Sequence, residues 1–152
     1  MSVSVLRSLD RPKSFGDDTL SMRVVAVSHG TPSSQNIHGH QVRTSIARAP
    51  SKDPLVVNFG GIADNQLAAH NAEVYAFFAH HYDYWTGQLG IARSSWDWCH
   101  WGEHLTIESG PIVDERQLHL GDVWEVGCNS KSVLLEVCGG RVPCSRLVWR
   151  CG

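Results

Sequence analysis

The sequence predicts a mainly β domain: a β-barrel or curled sheet with one principal helix packed on it. Short apolar, β-branched runs of strand length recur along the chain, about six or seven of them, punctuated by Gly, Pro and Asn. One stretch, Asn71 to Leu89, shows helical rather than alternating periodicity. At 152 residues one domain is the natural unit, and 42% hydrophobic with 18% charged residues is enough for a core.

The elements follow in order. Residues 1–21 are read as a flexible tail, because Asp10, Asp17 and Asp18 interrupt any apolar stretch. The same feature argues against a secretory signal, so a cytoplasmic setting is expected. Residues 22–152 are read as the folded domain. Met22 to Val27 is a β-branched strand, and His29 to His40, rich in Gly, Ser, Pro and Asn, reads as a loop. Gln41 to Ala47 alternates Val42, Thr44 and Ile46 against Arg43 and Ser45, as a half-buried strand does. Pro50 to Pro54 is a turn, Leu55 to Phe59 a strand, and Gly60-Gly61 a break.

The principal helix is expected over 71–89. Asn71 can cap it, Glu73 suits its first turn, and Val74, Phe77, Phe78, His81, Trp85 and Leu89 share a face. Gly90 stops it. The Trp-rich segment Ser94 to Gly102 reads as a loop packed over one end of the fold. Leu105 to Ile107, Gln117 to Val126 and Ser132 to Val137 are strands, and helical turns are expected after Pro143.

Charge and cysteine usage narrow the function classes. The net charge of −2 points to neither nucleic acid nor an anionic membrane, and no run of about 18 apolar residues is present to span a bilayer. Five cysteines, an odd number without a Cys-x-x-Cys pair, read as free thiols rather than a disulfide framework or zinc knuckle. Cys144 stands out among them. It follows Pro143 and lies between Arg141 and Arg146, and neighbouring positive charge favours the thiolate.

Four segments in sequence order resemble the MOSC family, the molybdenum cofactor sulfurase C-terminal domain. Thr44-Ser45-Ile46-Ala47-Arg48-Ala49-Pro50 is similar to its TSI-x-R-x-P segment. Gly61-Ile62-Ala63-Asp64-Asn65-Gln66, followed by His70, resembles GI-x-GD-x-Q and the following HGG. His81-Tyr82-Asp83-Tyr84-Trp85 and Trp101-Gly102-Glu103-His104-Leu105-Thr106 resemble EHY-x-x-W and GENLT. Leu120-Gly121-Asp122-Val123, Leu135-Glu136-Val137 and Arg141-Val142-Pro143-Cys144 match IGD, LEV and R-x-PC. The chain departs from the pattern at His70-Asn71-Ala72, in place of HGG, and at His104, in place of the GENLT asparagine. Members are expected to continue past the terminal Arg-Cys-Gly, so the chain reads as a divergent or C-terminally truncated member.

The resemblance implies a barrel of the pyruvate-kinase-barrel kind whose mouth takes a molybdopterin-type cofactor or an anionic sulfur ligand. Cys144 would then be the sulfur carrier or molybdenum ligand. Thr44, Ser45, Arg48, Asp64, Asn65 and Arg141 would bind the cofactor, and the planar guanidinium fork suits its phosphate. His70, Glu103 and His104 would line the pocket and manage protons. Reduction of N-hydroxylated compounds is the implied activity. Two other readings stay open. The altered histidine motifs fit cofactor-free or metal-assisted chemistry at His70, Glu103 and His104. A chain that stops early also fits a binding module, with a second copy or a partner protein covering its C-terminal edge.

Overall fold

The computed structural model describes residues 2–6, 20–58, 61–65, 74–108, 115–128 and 131–151. Eleven strands and two α-helices follow one another along them. They are β1 (Ser2–Leu6), β2 (Leu20–His29), β3 (Ser33–Ile37), β4 (His40–Thr44), β5 (Ala49–Pro50), β6 (Val57–Asn58), β7 (Gly61–Ile62), β8 (Ala76–Phe78), α1 (His80–Leu89), β9 (Leu105–Glu108), β10 (Val123–Cys128), β11 (Lys131–Glu136) and α2 (Ser145–Cys151).

The main sheet runs β11-β10-β1-β2-β9-β8, with β5 attached to the end of β2. All its pairings are antiparallel except β8 with β9. The mainly β class expected from sequence therefore holds. Closure into a barrel is not seen among the described residues, where β11 and β8 do not pair.

Burial sorts the strands. In β9, Leu105 and Ile107 join Met22, Val24, Phe78, Trp124 and Val126 in the core. Successive strand residues face opposite ways, so His104 and Thr106 are delivered to the other face, where both are buried with Glu103. β11 shows the same alternation at an edge, with Val133 and Leu135 half-buried between exposed neighbours. A bulge in the β2–β9 ladder between Val24 and Ala26 adjusts the register where β2 approaches the polar face.

Three expectations are corrected. The helix begins at His80, not at residue 71. Val74, Phe77 and Phe78 precede it, and Ala76–Phe78 is a strand. A strand running directly into a helix placed apolar residues at spacings that imitate one long helical face. The capping role expected of Asn71 falls outside the described residues. The loop expected over His29 to His40 contains the tail of β2 and the whole of β3, which pairs with β4 from Ser33↔Thr44 to Ile37↔His40. His38 and Gly39 form its two-residue turn, both at positive φ (50° and 83°), the conformation a tight hairpin requires. Finally, Ser2–Leu6 within the expected tail pairs with both β2 and β10, in the middle of the sheet.

Candidate functional site

The polar face is assembled from the ends of several elements. After β4, Thr44 Oγ1 accepts the Ile46 backbone N–H at 3.3 Å, and the Arg48 N–H bonds back to the Ile46 carbonyl at 2.9 Å. These tight local bonds fold Thr44–Arg48 against β2. Gly30 makes room for them, since a Cβ there would lie 2.8 Å from the Ser45 carbonyl oxygen and 2.9 Å from that of Ala47. Thr44, Ser45 and Ile46 are wholly buried, and Arg48 is 4% exposed.

Arg48 is therefore a cation inside the protein. Its Nε reaches Asn65 Oδ1 only at 3.5 Å, and its Nη1 has no hydrogen-bond partner among the described residues. Burial, then the charges of Arg141 and Arg150, lower its pKa to about 10, so it stays protonated at neutral pH. A buried guanidinium with an open donor is costly unless an acceptor completes it.

His104 lies beside it. Its Nδ1 accepts the Tyr75 backbone N–H at 2.9 Å, and its Nε2 is 2.8 Å from the Asn65 carboxamide Nδ2. A neutral ring whose Nδ1 accepts carries its proton on Nε2. That proton is satisfied when the Asn65 amide turns its oxygen to the ring, which takes the Oδ1 acceptor away from Arg48 Nε. Burial, followed by the positive charges of Arg48 and Arg141, lowers the His104 pKa to about 2, so the ring is neutral. Tyr75 closes the group: the Arg141 guanidinium lies 4.7 Å above its ring centre. Burial, then the Glu103 charge, raises the Tyr75 hydroxyl to about 12.

Cys144 sits immediately before α2. Its carbonyl accepts the N–H groups of Leu147 and Val148 at 2.9 and 3.0 Å. Partial burial works to raise its thiol pKa. The backbone N–H groups of Leu147 and Arg146 and the adjacent Arg141, which also hydrogen-bonds the sulfur, outweigh it, and the net shift is downward. Arg141 thus links the thiol to the Arg48–His104 group.

Glu103 organises a second, adjoining network. Wholly buried, its Oε1 accepts Tyr82 Oη at 2.5 Å and the Cys99 N–H and Thr106 Oγ1 at 2.9 Å each. Tyr82 Oη in turn accepts the His100 N–H at 3.0 Å. One carboxylate oxygen ties α1, the Trp-rich segment and β9 together. Burial, then Glu103, pushes the Tyr82 hydroxyl far above its ordinary range. Arg150 from α2 donates to the carbonyls of Arg48 (3.0 Å), His100 (3.0 Å) and Cys99 (3.2 Å), which fastens the last helix over the same region.

Of the residues singled out from sequence, Arg48, Asn65, His104 and Arg141 converge, and Arg141 joins Cys144 to them. Thr44 and Ser45 are buried within the backbone support. Glu103 turns toward Tyr82 and Cys99, and it does not converge with His104 and a third ligand into a metal-type cluster among the described residues. Asp64 stands exposed at a left-handed turn, φ 60°. His70 lies outside the described residues. Sequence reasoning did not single out Tyr75, Arg150 or Cys99. Their partners are long-range, 51 residues away for Cys99 to Arg48 and 102 for Arg150 to Arg48. The Trp-rich segment is packing material: Trp96 is buried and stacks on His100 at 4.8 Å, while Arg93 lies 4.1 Å over the Trp98 ring.

The model of the MOSC domain matches residues 34–152, the greater part of the chain and all of the polar face just described. The chain belongs to the MOSC domain family. No curated protein and no solved structure matches it. The match begins within β3, so β1 and β2 of this MOSC protein fall outside the matched range although they lie at the centre of its sheet. No helix among the described residues is long and apolar enough to cross a membrane.

Proposed function

We propose that this MOSC domain binds a molybdopterin-type cofactor at the Arg48–Asn65–His104–Arg141–Cys144 face and uses it to reduce N-hydroxylated compounds. The observation that carries the reading is the buried Arg48 cation, whose Nη1 has no partner among the described residues, linked through Arg141 to a thiol whose pKa is lowered. Two neighbouring guanidinium groups, Arg141 of which hydrogen-bonds the Cys144 sulfur, match the cofactor's donor needs: phosphate for the arginines and a soft metal for sulfur. Arg48 and Arg141 would hold the phosphate, and Cys144 would ligate the metal or carry a sulfur atom. When bound, the cofactor supplies two-electron redox chemistry. Reduction of an N-hydroxyl to an amine breaks one N–O bond, takes up two electrons and two protons, and releases water, with the electrons coming from a separate reduced carrier.

The surrounding residues support those demands. His104, neutral and fixed on the Tyr75 backbone, holds the Asn65 side chain through Nε2 beside Arg48 without adding positive charge. Glu103 acts through position, holding Tyr82 and the Cys99 backbone beneath the site.

Cys144→Ser tests the assignment. With cofactor and electron donor supplied, the variant is expected to lose N-reduction by at least about a hundredfold, as removal of a metal-binding or nucleophilic group does. N-reduction and sulfur transfer both at wild-type rates in the variant would overturn it.

A further inference from the structure

We propose that His80, His81 and Glu115 form a binding site for a divalent cation of the zinc class, separate from the Arg48–Cys144 face. His80 and His81 open α1, and Glu115 opens the 3-10 turn Glu115–Gln117 that precedes β10. His80 Nε2 is 3.4 Å from Glu115 Oε2, and His81 Nε2 is 3.1 Å from Glu115 Oε1. The three ligand atoms all lie within 4.8 Å of one another. In a tetrahedral zinc site with bonds of about 2.0–2.1 Å, donor atoms stand roughly 3.4 Å apart. The His–Glu separations, one to each carboxylate oxygen, already approximate that edge.

The convergence of the two rings needs a reason. Adjacent helical residues diverge by about 100° around the axis and do not normally face each other. Here the ring centres are 4.3 Å apart, and both rings address one carboxylate. Aromatic neighbours hold them in place: Phe78 lies 5.7 Å from His80 and Phe77 5.2 Å from His81, centre to centre. Two imidazole nitrogens and a carboxylate are a borderline donor set that suits zinc better than magnesium or calcium. The side chains are 42%, 28% and 43% exposed, so an ion can enter from solvent and water can fill the remaining position. A cation there would clip the start of α1 to the segment entering β10, two elements far apart in sequence.

The test is zinc titration of the chelator-stripped full chain by calorimetry, with cobalt(II) as spectroscopic probe. The wild type is expected to bind one zinc with a rise in melting temperature. Glu115→Gln and His81→Asn are each expected to weaken binding by about tenfold or more and to abolish that rise. Glu115 is exposed and His81 half-buried, and unchanged circular dichroism and metal-free melting would show both variants folded. Cys144→Ser is expected to bind zinc as the wild type does, and the cobalt spectrum to lack thiolate-to-metal charge transfer. Equal zinc affinity in wild type and both variants would overturn the site. So would a cobalt thiolate band that vanishes in Cys144→Ser, or no zinc binding at all by the wild type.

Discussion

At His104 a single side chain carries several consequences of burial. The ring occupies the position where the family pattern has asparagine, and it keeps a hydrogen-bonding role by accepting the Tyr75 N–H. Its folded pKa of about 2 lies well below the 6.5 of a free imidazole. Between those values the unfolded chain binds a proton that the native chain refuses, so stability falls as pH drops through 6.5; above that value the group contributes nothing. The expected loss from this group between pH 7.5 and pH 5 is about 2 kcal/mol, at roughly 1.4 kcal/mol per pH unit. Denaturant unfolding of wild type and His104→Gln at the two pH values measures it. The variant should lose less stability than the wild type on acidification, and parallel losses would show that His104 is not buried neutral. Arg48, Asn65, His104, Arg141 and Cys144 were all visible in the sequence because each sits in a short motif. Tyr75 and Arg150 were not, because what places them is a contact made across the fold. Tyr75 contributes mainly a backbone N–H and a ring face, which no local pattern announces.

At the scale of elements, the short strands were legible wherever β-branched residues alternated, as in β2, β9 and β11. The failures share a cause: local composition was outweighed by tertiary pairing. β3 is polar because its pattern leaves only Ile37 buried, so it read as loop, and its turn uses His38-Gly39 in place of the familiar Asn-Gly. β8 was absorbed into the helix because its partner β9 lies in a parallel register that no hairpin signal marks. The β10–β11 hairpin shows how strictly such pairing constrains one position. Gly127 has φ 147°, and a Cβ there would lie 2.3 Å from the Lys131 carbonyl oxygen and 2.7 Å from the Ser132 Cα. Both obstacles are backbone, so Gly127→Ala must distort the hairpin. The expected destabilisation is about 2 kcal/mol or more, read as a lower denaturation midpoint. A wild-type midpoint would mean that the hairpin relaxes at no cost.

At the scale of the molecule, one sheet serves two purposes. Its apolar face, built on Met22, Val24, Phe78, Leu105, Ile107, Trp124 and Val126, supplies the core. On the other side of β9, His104 and Thr106 join Glu103 in a buried polar layer. The mainly β class was legible from strand count alone. Closure into a barrel was not, because strand count does not reveal whether the last edges meet, and among the described residues they do not. The polar layer carries a cost in stability, since Arg48 Nη1 and Glu103 Oε2 are buried without partners among the described residues. An anionic cofactor bound there would offset the Arg48 side of that cost. The measurement that tests this most directly is the molybdenum and pterin content of the chain purified from a host that makes molybdenum cofactor, beside Cys144→Ala and Arg48→Ala. Near-stoichiometric molybdenum and pterin are expected in the wild type, with molybdenum lost in Cys144→Ala and both lost in Arg48→Ala. A folded wild type from the same host with neither molybdenum nor pterin would contradict cofactor binding there.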